Sequence, residues 1–468
     1  MIIQNIKRKF IQQSIRIDGK YFLNEDAMNS RLLEDNSHLC RALESFAFVF
    51  NPPIFKRQFC QKTDNAVLYC QSSDVTNSFE GSNVFVNKAQ VCKVGAIVKK
   101  NQVLVTGFGT IGNTRLVNDL SNGIAYANNV CRIEANSEEY YGFIYAFLTS
   151  KYGRSQLNKN ASGSVVRYIE APGIKKTLIP VFSNQKQIEI HQLIIKASDF
   201  QFEANNLLKN ANQRLLKWSN LPELTNQDYE FFGNQSSLRK VSTFRKNIKD
   251  ISSLTINAFN YSSKIENLIK NVKYNNKTQR LFELLDEDKI FSTGSFPRLE
   301  TNSSKSIRLI NQSDIFNNHI VGKKISRRKV KVDNLVEYGE IIIAGVGTLG
   351  ESETFCKVIF ANEELENQLV SGEFLRMKTD GKIPSGYLFS WLSTEYGFRF
   401  MRSTQTGTKL CRPIQKLLYE LPVPILDKGQ MEEIHLDVVR AHTYRYQALL
   451  LEKQAIQTVE NEIESWQN

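Results

Sequence analysis

The chain has 468 residues, 41% of them hydrophobic, which is ample for packed cores, yet no run approaches the roughly 18 apolar residues of a membrane span. The net charge of +12 and a pI near 9.2 fit a polyanion partner or a merely solvated basic surface. The seven cysteines (Cys40, Cys60, Cys70, Cys92, Cys131, Cys356 and Cys411) form no CxxC and no zinc-ligand spacing, and MIIQNIKRKF lacks the apolar core of a secretory signal. These features predict a reduced, cytoplasmic protein.

In chain order, residues 1–50 open with RIDGKYF (Arg16–Phe22) and continue in a helical pattern through Leu32, Leu33, Leu39 and Leu43. Residues 55–135 lose the 3.6 period: VLYC, VFV, AIV, VLVTGF and IAYANNVCRI are short, β-rich and separated by Asn, Gly and Asp turns, predicting a curled sheet. From Tyr140, YYGFIYAFLTSKYG returns to a helix with an aromatic-rich face. From Gln185 to Trp218 a heptad seam appears at Leu193, Ala197, Phe200, Ala204, Leu207, Ala211, Leu215 and Trp218. At 1.5 Å per residue this predicts a rod on the order of 50 Å. Residues 219–250 read as a polar connector, 251–290 as helical, 291–380 as short strands, and 386–401 as a second aromatic helix. Gln430 to Trp466 carries a second stripe through Met431, Ile434, Val438, Ala441, Ala448, Ala455, Val459 and Ile463. Each exposed stripe needs a partner, the other rod or its own domain.

These segments form an internal repeat. LTSKYG (Leu148–Gly153) returns as LSTEYG (Leu392–Gly397), GFGTIG (Gly107–Gly112) as GVGTLG (Gly345–Gly350), and Ser73-Asp74 as Ser313-Asp314. A small-Gly-small step (Ser162-Gly163-Ser164, Thr406-Gly407-Thr408), an apolar-proline exit, a Gln at 187 or 430 and a long helix come next in the same order. A period near half the chain is too long for a solenoid, so the chain reads as a duplicated domain. The predicted boundaries are 1–183 and 251–426 for the domains, 184–218 and 427–468 for the long helices, and 219–250 for the connector.

Both glycine motifs spell GxGxxG, but a dinucleotide site needs a helix directly after the glycines, and the residues after them read as turn and strand. Gly107, Gly109, Gly112, Gly345, Gly347 and Gly350 are therefore assigned to tight strand–turn–strand connections requiring positive φ. Asn51-Pro52-Pro53-Ile54 resembles the Asn-Pro-Pro-aromatic signature of amino-methyltransferases, but lacks the aromatic and a cofactor-binding unit. Glu287-Asp288-Lys289 has no Pro-Asp partner for a metal nuclease. The histidines form no HExxH or triad, and His191 and His435 are read as surface residues of the rods.

The basic residues carry more. Lys323, Lys324, Arg327, Arg328 and Lys329 form a dense cluster in the second repeat; Lys93, Lys99 and Lys100 stand in the corresponding part of the first, and Arg115 lies just after its glycine turn. Arg167 and the pair Lys409 and Arg412 lie just after the small-Gly-small steps. Lys and Arg on loops suit phosphate contacts, and Arg, Asn and Gln can read base edges, so these twelve residues are the candidate DNA-binding set.

The ordered set, RIDGKYF, GxGT[IL]G, LTSKYG/LSTEYG, small-Gly-small, [LI]P exit, Gln and long helix, resembles the specificity (S) subunits of type I restriction–modification systems over nearly the full length. The second counterpart of RIDGKYF is degraded to TINAFNY (Thr255–Tyr261). The resemblance implies an α+β fold of two tandem target-recognition domains, each a mixed short-strand sheet with helices followed by a long helix, the two helices pairing as an antiparallel coiled coil. It implies a non-catalytic subunit that reads a bipartite site on double-stranded DNA and docks two modification (methyltransferase) subunits and, through them, restriction subunits. No cofactor or metal is expected in this chain; S-adenosylmethionine, ATP and Mg belong to the partners. Rival readings are an S-like subunit of a smaller two-component system, a stand-alone enzyme using the glycine motif, and a coiled-coil scaffold that binds no DNA.

Overall fold

The computed structural model describes residues 8, 11, 24–77, 84–163, 167–232 and 243–467. RIDGKYF, Ser164 and the side chain of Lys329 lie outside the described residues. The chain divides into two compact units: unit 1 comprises residues 1–79, 85–199 and 448–468, and unit 2 residues 80–84 and 200–447. Both long helices are therefore shared, each contributing one half to each unit.

Unit 1 includes helix α1 (Glu25–Asp35), whose first turn is capped by the Asn24 side chain accepting from Asp26 N at 2.8 Å. The predicted helical run stops there. Leu39 and Leu43 lie instead in single 3-10 turns on either side of strand β1 (Cys40–Ala42), because this segment pairs with a distant strand. The later strands of the unit are β2 (Ala47–Phe50), β3 (Phe59–Cys60), β4 (Ala66–Cys70), β5 (Phe85–Asn87), β6 (Val103–Thr106), β7 (Thr114–Leu116), β8 (Ala125–Tyr126), β9 (Val130–Ala135) and β10 (Leu178–Pro180). They form sheets in the orders β2-β9-β6-β7 and β3-β5-β4-β8, with β1 paired antiparallel to β10, the apolar-proline exit. The helices are α2 (Lys88–Lys93), α3 (Tyr141–Thr149), α4 (Lys151–Lys159), α5 (Ala171–Lys175) and the long α6 (Asn184–Trp218).

Unit 2 repeats the plan. Helix α7 (Ser263–Asn275) precedes β11 (Thr278–Arg280), β12 (Ser306–Ile310), β13 (Lys323–Ser326), β14 (Ile341–Ala344), β15 (Val358–Phe360), β16 (Leu369–Val370) and β17 (Phe374–Met377). Then come α8 (Ser385–Ser393), α9 (Glu395–Arg402), β18 (Gln405–Thr406), β19 (Arg412–Pro413), α10 (Gln415–Tyr419), β20 (Pro422–Pro424) and the long α11 (Lys428–Glu464). The sheets run β15-β14-β17 and β13-β12-β16, and β11 pairs with β20 as β1 does with β10. The architecture is mixed α+β with sheets of short strands, several small sheets rather than one curled sheet.

Strands β6 and β14 explain why these segments read as unbroken apolar runs. Successive side chains of a strand point to opposite faces. Val103 and Val105 enter the core around Phe143 and Phe147, while Leu104 enters a second core with Val98, Val117 and Tyr126. Ile341 and Ile343 likewise face the core of Trp391 and Phe400, and Ile342 faces Ile315, Leu365 and Phe374. With both faces covered, alternation has no polar half to show.

The LTSKYG and LSTEYG motifs form a corner between two helices, not one continuous helix. Ser150 ends α3 and caps α4, its Oγ accepting from Gly153 N at 3.3 Å; Thr394 does the same between α8 and α9, accepting from Gly397 N at 3.2 Å. The glycine is required by contact: a Cβ on Gly153 would lie 2.1 Å from Phe147 O, and one on Gly397 2.4 Å from Trp391 O.

Two arginines 244 positions apart are fully buried in the sheets. In unit 2, Arg376 donates to both oxygens of Glu340 at 2.8 Å, to Asn334 O at 2.9 Å and to Leu335 O at 2.6 Å. In unit 1, Arg132 donates to the carbonyls of Ala96, Tyr126, Ala127 and Val130, and burial pushes its pKa down to about 10. The duplicated cation is kept; its partner has changed.

The seam positions of α11 are all buried, and Ala197, Ala204, Ala211 and Leu215 of α6 are buried with Leu193, Phe200, Leu207 and Trp218 half-buried. Within unit 1, Tyr145 of α3 donates to Glu452 of α11; within unit 2, Ser390 of α8 meets Asn212 of α6 at 2.6 Å. Arg214 of α6 binds Glu433 and Asp437 of α11 at 2.6 and 2.8 Å, and Arg445 of α11 donates to Asn205 at 2.9 Å.

His191 and His435 are not surface residues. Each is half-buried and accepts through Nδ1 from the first turn of an aromatic helix, from Gly142 N at 3.2 Å and Gly386 N at 3.1 Å. A Cβ on either glycine would strike the imidazole, at 2.9 and 2.6 Å. Burial lowers both histidine pKa values, favouring the neutral ring that can accept.

Candidate nucleic-acid interface

In each unit the glycine loop and the small-Gly-small hairpin form one edge. In unit 1, Ser162 and Tyr168 exchange backbone hydrogen bonds at 2.8 and 2.9 Å, Phe108 bridges to Tyr168, and Ile169 N donates to Gly107 O at 2.8 Å. In unit 2, β18 and β19 make the hairpin, and Gly347 and Cys411 exchange bonds at 3.2 and 2.7 Å. Gly163 and Gly407 sit at φ +92° and +99°, a region that costs glycine little.

The loop glycines only partly match the positive-φ expectation. Gly109 and Gly112 adopt φ +74° and +79°, returning the chain into β7 within two residues. Gly107, Gly345, Gly347 and Gly350 do not enter that region: Gly107 still bonds to its neighbours Asn129 and Ile169 at the end of β6, and in unit 2 β15 begins only at Val358, so the longer loop needs no abrupt reversal. What the two copies share is close approach at the first glycine. A Cβ on Gly107 would lie 2.5 Å from Ile169 O and 2.9 Å from Asn129 O, and one on Gly345 2.6 Å from Glu373 O.

Arg167, Lys409 and Arg412 are exposed on the hairpins, with the Arg167 guanidinium donating to Asn158 O. The cluster of unit 2 lies on β13 and the turn after it. Lys323 and Lys324 are exposed on the strand, and Arg327 and Arg328 are exposed on a 3-10 turn whose start is capped by Ser326. Lys323 pairs with Glu300 at 2.9 Å, but both side chains are about two-thirds exposed and such pairs contribute little. In unit 1, Lys93 ends α2, while Lys99 and Lys100 occupy the turn before β6; all three are exposed, and Lys100 pairs with Asp119 at 2.7 Å.

Arg115 departs from the set. It is 6% exposed, and its guanidinium donates to Asp74 O at 3.3 Å and Asn77 O at 2.9 Å. Its place on β7, opposite Leu104, aims it at the sheet interior, where it anchors the turn formed by Ser73-Asp74. That burial favours a structural role over phosphate contact.

Sequence reasoning missed three exposed apolar side chains on these edges: Phe108 and Tyr168 in unit 1 and Leu410 in unit 2. An aromatic inside a glycine turn was the available signal. Among the described residues no group of three or more His, Cys, Asp or Glu could hold a metal ion, and no helix is long and apolar enough to cross a membrane.

No family model and no curated protein matches the chain. Among solved structures it is similar to the type I restriction–modification system S subunit from M. genitalium, at 12% identity over 90% of this chain and 95% of that one, with a TM-score of 0.38. It is also similar to the HsdS subunit from Thermoanaerobacter tengcongensis, at 13% identity over 90% and 95% of the two chains, with a TM-score of 0.25. A structure from work on assembly and conformational transition of the type I R-M system matches at 11% identity over 91% and 97%, with a TM-score of 0.26. Over about nine-tenths of its length, the chain has type I restriction–modification S subunits as its structural neighbours.

Proposed function

We propose that this chain is the sequence-specific DNA-binding subunit of a restriction–modification complex. Each unit reads one half of a bipartite site, and α6 and α11 set the distance between the halves. The observation that carries this reading is the duplicated edge: in both units a glycine loop and a small-Gly-small hairpin present exposed cations, Arg167 in one and Lys409 and Arg412 in the other. Lys93, Lys99, Lys100, Lys323, Lys324, Arg327 and Arg328 add phosphate contacts, with Lys329 of the same run. Backbone contacts of this kind position the protein, and base edges supply specificity.

Antiparallel pairing of the long helices is supported within unit 2: from Arg214 back to Asn205 on α6, the partners on α11 move forward from Glu433 to Arg445. The exposed faces of these helices dock the methyltransferase subunits, which bring S-adenosylmethionine, while ATP and Mg act on the restriction subunits. The chain itself performs no chemistry.

Methylation mapping by single-molecule sequencing, in cells expressing the chain with its neighbouring methyltransferase, tests the reading. A bipartite methylated motif that requires this chain supports it. Methylation unchanged by the chain, with both proteins folded, refutes it.

A further inference from the structure

We infer that the stacked pair Phe108–Tyr168 is the part of unit 1 that touches bases, within the DNA-reading function proposed above, on which the inference rests. The rings are nearly parallel, with an interplanar angle of 17° and centroids 5.6 Å apart, and are 37% and 39% exposed. They pack on each other at the surface, although large apolar side chains gain by leaving water. Their backbones are fixed on both sides. Phe108 sits beside Gly107, which donates to Asn129 O at 3.0 Å, and Tyr168 is locked into the hairpin by Ser162. Such a plate is preorganised, so little ordering cost remains at binding.

Two further features choose the occupant. The neighbouring Arg167 is exposed and cationic, which favours an anionic polymer over an apolar protein surface. A Cβ built on Gly109 would have no heavy atom within 4 Å, so the tip of the loop stands open beside the rings. The matched edge of unit 2 has the same layout with different chemistry: Leu410, 59% exposed, lies between Lys409 and the Gly347–Cys411 bridge, with Arg412 alongside. An apolar group among cations, repeated on one scaffold but changed in identity, suits two surfaces that read different bases of double-stranded DNA. Apolar side chains contact thymine methyls or wedge against base steps; phosphates would not distinguish an aromatic pair from an aliphatic residue.

The test is selection from a pool of randomised duplexes by the full chain, for wild type, the Phe108→Ser/Tyr168→Ser double variant, Tyr168→Phe, and Leu410→Ser. Wild type should enrich two half-sites. The double variant should lose base preference in one half-site and keep the other, with affinity for the wild-type duplex falling about tenfold and its salt dependence unchanged. Tyr168→Phe retains the ring and should keep the motif, the half-site kept by the double variant separates base contact from a folding defect, and Leu410→Ser should relax the opposite half-site. Both half-sites enriched at wild-type strength by the double variant would overturn the inference and leave DNA reading intact. Failure of the wild type to enrich any motif overturns both.

Discussion

Replacing Glu340 by Gln tests how the buried arginine of unit 2 is held. Glu340 and Arg376 are each about 1% exposed at the side chain, and the carboxylate accepts Nε and Nη2 of Arg376 at 2.8 Å as well as Glu337 N at 3.0 Å. The substitution preserves shape but removes the charge and turns an NH2 group toward the guanidinium. Breaking a buried pair by altering one partner costs about 3–5 kcal/mol. Unit 1 argues for the low end, because Arg132 is equally buried with carbonyl acceptors, and Arg376 keeps two of its own at Asn334 and Leu335. The expected loss is therefore about 3 kcal/mol. With a urea slope of about 3 kcal/mol/M for a unit of this size, the midpoint of unit 2 should fall by about 1 M. Trp218 and Trp391 belong to the unit 2 core and Trp466 to that of unit 1, so tryptophan fluorescence in a Trp466→Phe background tracks unit 2 alone. A midpoint shift below about 0.3 M would show that the carbonyls suffice and would refute the argument from charge.

Three other outcomes are expected. His442 is buried between Phe360 and Phe389, and burial pushes its pKa down to about 3. Its folded pKa lies below the unfolded value near 6.5, so its contribution is complete above pH 6.5 and is lost as pH falls toward 3. Unit 2 should lose about 2 kcal/mol between pH 6.5 and 5 from this group, and His442→Phe should flatten that slope in urea titrations. Gly397→Ala forces a Cβ to 2.4 Å from Trp391 O and should cost about 3 kcal/mol, a fall of about 10 °C by calorimetry, whereas Gly429→Ala, with open space at its Cβ, should be near neutral. Arg327→Ala with Arg328→Ala should lower the slope of log K against log salt by about 2 in a DNA titration, with secondary structure unchanged; an unchanged slope removes this turn from the interface.

The repeat, the strand-rich segments, the long helices and the exposed cations were legible in the sequence, because each leaves a local trace. Heptad spacing on α11 marks Met431 through Ile463, all of them buried as the stripe requires. Glycines at fixed intervals mark the loop and the hairpin, and Lys and Arg at loop positions are seldom buried. Tertiary structure alone decided the fate of single polar residues. Arg115 and Arg167 look alike in sequence, yet the first is drawn inside by carbonyls of Asp74 and Asn77 some forty residues upstream. His191 and His435 lie on amphipathic helices, and only the approach of Gly142 and Gly386 makes them acceptors. The corner at Ser150 and Thr394 was hidden because aromatic periodicity continues across it, and the break shows only once Gly153 and Gly397 close on a carbonyl of the preceding helix. Hydrophobic period and turn chemistry are properties of neighbours along the chain. Burial of a charge depends on which distant backbone groups arrive to receive it, and no local pattern records that.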